Sequence, residues 1–401
     1  MSGEFGQIRA QLEYLYSIEL YKNKLDKAKL KPSDIQTIED FKKIPFTVSS
    51  EFLTELKKAP SESSLYRDDV TRINFSPSGQ ELFPVYNTNS DLNRMHQTCA
   101  RMLKDAGVTQ NDICAIMFGY HLFVAGLFYQ NQLEYYGAKV IPLGPGESER
   151  AINLINKYEI SVLASNPTFA MKLAEGGIPS VRTLFVGGEP FTSVEGYAEK
   201  VRSAFGRDIT IIDSYSMAAC MPIARSCRFD KGLHIADDFI FAEVIDPVTG
   251  EEVEYGEKGE LVLTHLYKEA APLLRYRTGD LTYMEKKQCG CGREFTLPKS
   301  VLGRTDEMLK VKGVKFWPSQ IRTILYEFPE LSDKYRVKVG WTKGVDTLEL
   351  TIQAPKEAGR NIEALSRRLK EETLLKFNQI NLVDELEKGP IMIDERKGRT
   401  F

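Results

Sequence analysis

Four sulfur and imidazole side chains stand out first. Cys227 and His234 fall in SCRFDKGLH, and Cys289 and Cys291 in the glycine-rich CGCGR. Three thiolates and one imidazole form a soft donor set suited to tetrahedral zinc, and a closed four-ligand set of that kind is structural. Free cysteines acting as small buried hydrophobes are the competing reading. Four loop sequences carry most of the remaining polar chemistry: GGEP at 187–190, DSYS at 213–216, YRTGD at 276–280 and GRTDEMLKVKG at 303–313. Asp280 offers two acceptor oxygens, enough for a pair of hydroxyl donors, and Gly188 beside Glu189 and Pro190 allows close backbone approach to a ligand. Tyr215 presents a flat ring for stacking, with Asp213 two residues earlier. Taken singly, Asp280 is a turn carboxylate, Tyr215 a core ring, and Asp213 and Glu189 ordinary strand-end charges. His121, in FGYHLF, could orient a substrate carboxylate or take a proton, or pack as a hydrogen-bonded residue among aromatics. Phe118, Tyr120, Phe123 and Met217 could wall a pocket for an aromatic or bulky apolar acid, or belong to the core. No Ser-His-Asp or Cys-His signature accompanies them.

Strands must hold these loops. From Cys114 the sequence alternates short apolar runs with helical stretches: ICAIMF, a helix through Leu133, AKVIPL, a helix near Ala151 to Tyr158, ISVLAS, a helix from Pro167 to Ala174, and TLFVGG. That rhythm predicts a mostly parallel sheet with helices on its faces. Such sheets bind ligands outside the carboxyl ends of their strands. After Gly232 the runs FIFAEVID and GELVLTHL, joined by a PVTG turn, predict an antiparallel sheet ending in LLRYRTGD. One amphipathic helical block, Phe5 to Lys31, precedes the α/β region. From Gly303 a second unit is expected, with strands YRVKVGW, TLELTIQ and QINLVD and a helix from Ile362 to Lys376.

Composition bounds the function. Single cores stop growing at about 250–300 residues, so a chain of this length should hold more than one. With 42% hydrophobic and 27% charged residues and a net charge of −3, the chain reads as a globular enzyme. Nothing in its charge argues for a nucleic-acid or membrane partner. The most apolar stretch, 113–129, contains His121 and falls short of the roughly 20 residues of a spanning helix. No signal-peptide core opens the sequence. Six cysteines are too few for a disulfide framework, and a reducing, cytoplasmic setting is expected.

The order of the loops is more specific than any one of them. IPFTVSSEFL at 44–53, FGYHLFVAGL at 118–127, GGEPF, GLHIADDF at 232–239, ELVLTHLYKEAAPLLRYRTGDL at 260–281 and LGRTDEMLKVKGVKFWPSQI, with a lysine near the carboxyl terminus, resemble the adenylate-forming ligases. Within these they resemble the phenylacetate-CoA ligase family, over nearly the whole chain. The resemblance implies an α/β fold: a large multi-layer amino-terminal domain of mixed sheets at 1–302 and a small, mobile α+β cap at 303–401. It also implies an activity, the joining of an (aryl) carboxylic acid to ATP as an acyl-adenylate and its transfer to CoA or another thiol.

Carried over residue by residue, the family pattern gives Asp280 and Arg304 to the ribose, and Tyr215, Asp213 and the loop of Gly188, Glu189 and Pro190 to the adenine. Asp306 falls at the hinge. Lys388, ahead of IMIDER, falls at the lysine that orients the carboxylate and offsets charge on the α-phosphate. The family's glycine before that lysine is Glu387 here. Related ligases carry a comparable cysteine and histidine set in the segments of Cys227, His234, Cys289 and Cys291. A homodimer is left open.

Two departures touch ATP handling. The family's phosphate loop reads like SSGTTGKP, and here the stretch is PSGQELFP at 77–84. Ser78, Gly79 and Pro84 remain, while Gln80 and Glu81 replace the threonines, and Leu82 and Phe83 the second glycine and lysine. A carboxylate facing a triphosphate is repulsive unless a cation intervenes. Where the family has YGLSE, with a magnesium-holding glutamate, this chain has YSMAA at 215–219, and Ala219 has no side-chain oxygen to offer. An alternative expectation follows: the same fold acting as an acyl or nucleotide binding component, or as an acyl transferase that does not use ATP.

Overall fold

The computed structural model describes residues 2–78, 81–229, 232–305, 309–311, 314–316, 318–342, 345–355, 358–359, 362–387 and 389–396. Two compact units emerge: residues 1–191, 200–278 and 282–300 form the first, and residues 192–199, 279–281 and 301–401 the second.

The first unit opens with two helices, Ser2–Tyr16 and Glu19–Lys27, where the sequence suggested one block. Ile18 breaks them with an extended backbone, φ −89° and ψ 123°. Ile8, Leu12, Leu15, Tyr21 and Leu25 are all buried on the inward faces. The predicted parallel sheet is present. Strands Ile113–Ile116, Lys139–Ile141, Val162–Ser165, Thr183–Val186 and Thr210–Met217 pair in parallel. Val162–Ser165 and Thr183–Val186 are buried at every residue, as strands covered by helices on both faces require.

The expected antiparallel sheet of FIFAEVID and GELVLTHL is present, and a further antiparallel stretch, not foreseen, extends the parallel sheet. Thr210–Met217 turns through Ala218 and Ala219 into Cys220–Ser226, and so short a connection forces antiparallel pairing. Leu233–Ile235, Phe295–Leu297 and Glu285–Lys286 then extend this same sheet to nine strands. A separate sheet holds Ile240–Ile245, Gly259–His265 and Tyr276–Thr282 in that order. A hairpin, Val70–Ser78 with Glu81–Thr88, pairs from Val70 opposite Thr88 down to Ser78 opposite Glu81. Its second strand leads into the helix Asn89–Asp105, capped reciprocally by Thr88 and Asp91.

In the second unit the sheet order is Gln379–Val383, Val345–Gln353, Tyr335–Thr342, Met392–Asp394. Helices Ser319–Leu325 and Ile362–Thr373 close a core that includes Ile321, Leu325, Val337, Leu350, Leu365 and Leu369. The second helix ends three residues before the expected Lys376, because Leu374 adopts φ 60°. No helix among the described residues is long and apolar enough to cross a membrane.

Candidate active site

Strand Thr210–Met217 is where the nine-stranded sheet changes from parallel to antiparallel, and its carboxyl end meets the GGEP loop. Val186 pairs with Asp213, so the loop after Thr183–Val186 lies beside DSYS. Gly188 takes φ +80°, and a side chain on Gly187 would come within 3.3 Å of the Ser214 carbonyl oxygen and the Tyr129 hydroxyl. Glu189 accepts a hydrogen bond from Thr168 Oγ1 at 2.7 Å, and Pro190 is exposed. Asp213 and Tyr215 are buried, and the Asp213 N–H donates to Ser226 Oγ at 2.9 Å.

Arg225 went unnoticed in the sequence. Its guanidinium is almost fully buried among the rings of Phe128, Tyr129 and Phe185, 5.3–5.9 Å from their centroids. It donates to Gln132 Oε1 at 2.8 Å and Ser214 Oγ at 3.1 Å, and so pins the residue between Asp213 and Tyr215. Only the fold reveals this, since an arginine in MPIARS looks like any other.

The stretch resembling a phosphate loop forms the end of the hairpin. Glu81 to Pro84 pair with Ser78 back to Phe75, which commits backbone amides to the ladder. Gly79 lies outside the described residues, as does Gln80. Lys57 pairs with the Glu81 carboxylate, and both side chains are exposed. Ala219 sits in the turn, where it offers no oxygen side chain to magnesium.

Of the residues expected around an acyl group, Phe118 stacks on Tyr129 at 4.9 Å and 10°. Tyr120 keeps a buried hydroxyl without a partner among the described residues, and burial, with Glu134 adding, raises its pKa to about 12. His121 and Phe123 are exposed, and Met217 is half-buried. Gly126 shapes their loop. Its N–H donates to the Gly119 carbonyl at 3.1 Å, and a side chain there would lie 2.5 Å from that oxygen. A small cavity opens instead beside Ala218 and Ala219, with Arg72, Asn74, His265 and Lys268 in its wall. None of these four was singled out from sequence.

In the second unit Asp280 and Arg304 face each other across an antiparallel pair, and Arg304 Nη1 donates to Asp280 Oδ1 at 2.8 Å. Gly279 holds φ +76°, and a side chain on it would strike Arg304 Nη2 at 2.8 Å. Asp306 and Lys388 lie outside the described residues. The carbonyls flanking Lys388 are clamped by Arg336, which donates to Glu387 O at 2.7 Å and Pro390 O at 3.1 Å.

Cys227, His234, Cys289 and Cys291 converge, all donor atoms lying within 4.8 Å of one another. Cys227 Sγ is 3.7 Å from Cys289 Sγ, and Cys291 Sγ is 3.3 Å from His234 Nε2. Bonds of about 2.3 Å to a tetrahedral zinc imply sulfur–sulfur edges of about 3.8 Å, so the spacing and the donor set both fit. Burial pushes the Cys227 thiol up to about 12 and lowers the His234 imidazole. Burial also works to raise Cys289, but the N–H groups of Cys291 and Gly290 and the neighbouring thiols outweigh it, and its pKa falls below the usual thiol value.

The family of AMP-binding enzyme C-terminal domains matches residues 313–397. The chain is 32% identical over 368 residues to phenylacetate-coenzyme A ligase of Thermus thermophilus, covering 89% of this chain and 82% of that one. It is 30% identical over 363 residues to the Escherichia coli phenylacetate-coenzyme A ligase, covering 86% and 80%. A 2-hydroxyisobutyryl-CoA ligase solved in the postadenylation state with R3-HIB-AMP superposes with a TM-score of 0.84 at 22% identity, over 99% of this chain and 90% of that one, and shares its fold. These relatives support an acid–CoA ligase working through an acyl-adenylate and do not favour a protein without ATP-driven adenylation. The chain belongs to the phenylacetate-coenzyme A ligase family of adenylate-forming ligases.

Proposed function

We propose that the protein activates an aryl or comparably apolar carboxylic acid and hands it to CoA. A carboxylate oxygen attacks the α-phosphorus of ATP, and the bond to pyrophosphate breaks. The CoA thiolate then attacks the acyl carbonyl, and the acyl–phosphate bond breaks to release AMP. What carries the reading is the meeting of the GGEP and DSYS loops at the carboxyl ends of adjacent parallel strands, in a chain about 30% identical to phenylacetate-CoA ligases.

In this reading Tyr215, Asp213 and the loop of Gly188, Glu189 and Pro190 bind adenine, and Asp280 with Arg304 binds the ribose. Ser78 and Gly79 line the phosphate side, with Lys57 supplying local positive charge. Lys388 steadies the reacting carboxylate, and Asp306 is the pivot of the cap. His121, with Phe118, Tyr120, Phe123 and Met217, borders the acyl entrance. The loop at Ala218 and Ala219 offers no side-chain oxygen to magnesium.

Cys227, His234, Cys289 and Cys291 would hold zinc, which would cross-link the strand ends without entering the reaction. Six free cysteines fit a cytoplasmic setting. The assembly proposed is a homodimer, to be checked by light scattering.

Pyrophosphate release from ATP, measured across a panel of aromatic acids and followed by mass detection of the CoA thioester, tests the activity. No acid-dependent release at any magnesium concentration, from folded protein, would refute it.

A further inference from the structure

The cavity beside Ala218 and Ala219 has a polar wall that nothing in the adenylation chemistry uses. His265 is fully buried, and its Nδ1 accepts the Leu273 N–H at 2.9 Å. The ring proton is therefore on Nε2, and that donor has no partner among the described residues. An edge contact with Phe239, centroids 5.4 Å apart, fixes the ring plane. Burial, with Lys268 nearby, keeps the imidazole neutral. Asn74 is 4% exposed, and its Nδ2 faces the Leu122 and Phe123 carbonyls at 3.4 Å. Its Oδ1 is thus oriented as an acceptor, and it too is unpartnered among the described residues.

Both residues line one cavity of about 20 Å³. That is room for a single water or hydroxyl oxygen. Charge narrows the occupant further. Lys268 is buried against Tyr86 O and Asn87 Oδ1 at 2.9 and 2.8 Å, with Asp91 at 3.7 Å. Arg72, also in the wall, faces the Asn131 amide oxygen at 2.7 and 2.8 Å in one amide orientation and pairs with no carboxylate among the described residues. Two cations repel an ammonium group. A second carboxylate would suit them, but it exceeds the space and cannot donate to Asn74 Oδ1. One oxygen that accepts from His265 Nε2–H and donates to Asn74 Oδ1 meets both groups, and a hydroxyl carried by the substrate supplies it in place of a water.

We infer that this cavity is the far end of the acyl pocket, and that His265 and Asn74 select a carboxylic acid bearing a hydroxyl group. The inference rests on the ligase reading for the placement of the carboxylate near Ala219. An analogue lacking the hydroxyl leaves two buried groups unmet, so the expected discrimination is on the order of 10²-fold, rising to about 10⁴-fold where no water substitutes.

Calorimetry on the full chain, with and without a nonhydrolysable ATP analogue, compares ring-hydroxylated arylacetates and hydroxyalkanoates with the same acids lacking the hydroxyl. At least one hydroxylated acid should bind about 10²-fold more tightly than its partner. In Asn74→Ala, and separately in His265→Phe, that ratio should collapse to within about tenfold. Equal affinities throughout, preference for a dicarboxylic or amino acid, no binding by any acid, or a ratio unchanged in Asn74→Ala would each overturn the inference; equal affinities would make the cavity a water site. Acid-dependent pyrophosphate release without hydroxyl preference refutes the substrate class and leaves the ligase. Hydroxyl-selective binding without pyrophosphate release refutes the ligase and leaves the substrate class.

Discussion

Replacing Asp280 with alanine separates a ribose acceptor from a turn carboxylate. The Asp280 side chain is 13% exposed and its partner Arg304 44%. Pairs with so exposed a member contribute about 0.2–1 kcal/mol, so losing the contact should lower Tm by no more than about 4 °C. A carboxylate accepting two ribose hydroxyls gains about 1.5–3 kcal/mol for each charge-assisted bond. Together these come to about 3–6 kcal/mol, or roughly 10²–10⁴-fold in kcat/KM for ATP. The assay is pyrophosphate release at saturating acid with ATP varied, alongside a thermal melt of the same preparation. Asp280→Asn keeps one acceptor oxygen and should recover part of the loss. A kcat/KM within about threefold of the unmodified protein, whatever the melt, would refute the reasoning and return Asp280 to the role of a turn residue.

Cys289→Ser should lower the zinc content from about one equivalent and reduce Tm, since metal binding adds to folding free energy; elemental analysis finding under about a tenth of an equivalent in unchelated wild-type protein would refute this. Glu243→Gln leaves the buried Arg275, bound bidentately at 2.7 and 3.1 Å, without its counter-charge. It should cost about 3–5 kcal/mol by urea unfolding, and a loss under about 1 kcal/mol would count against the pair. Arg336→Met frees the carbonyls on either side of Lys388 and should reduce kcat for adenylation by about 10–100-fold with little change in the KM for the acid; an unchanged kcat would show that the clamp is idle. Lys57→Ala exposes the triphosphate to an unpaired Glu81 and should raise the KM for ATP, an effect that Lys57→Ala/Glu81→Gln reverses; an unchanged KM would show that the pair lies away from the phosphates.

The parallel half of the first unit was legible because its strands are short, mostly apolar runs separated by helices of ordinary length. The change to antiparallel pairing was not, because nothing in YSMAACMPIA marks a turn: alanines occupy a place where glycine or asparagine would have signalled one. The thiol and imidazole cluster could be read because those residue types are scarce and related ligases carry a comparable set; the spacing alone, unlike the commonest two-residue knuckle, did not show convergence. Arg72 and Asn74 on one strand and His265 on another could not be read, since the two strands lie far apart in sequence and only packing makes one wall of them. One clue was available: a histidine closing the buried strand GELVLTH, with a lysine three residues beyond, places polar groups where burial tolerates none without partners. Lys57 was missed for the opposite reason, being one of many exposed lysines until Glu81 arrives beside it.

The hairpin from Thr210 to Ser226 carries DSYS on its first strand and runs directly into Cys227 from its second, with Ser214 opposite Arg225. A one-residue slip between its strands would turn side chains to the opposite faces. It would also carry the Cys227 thiol away from His234, Cys289 and Cys291. Only the correctly paired hairpin presents four ligands, so a bound metal would proofread alignment during folding, and the placement of Tyr215 would be checked by an ion that never meets the substrate.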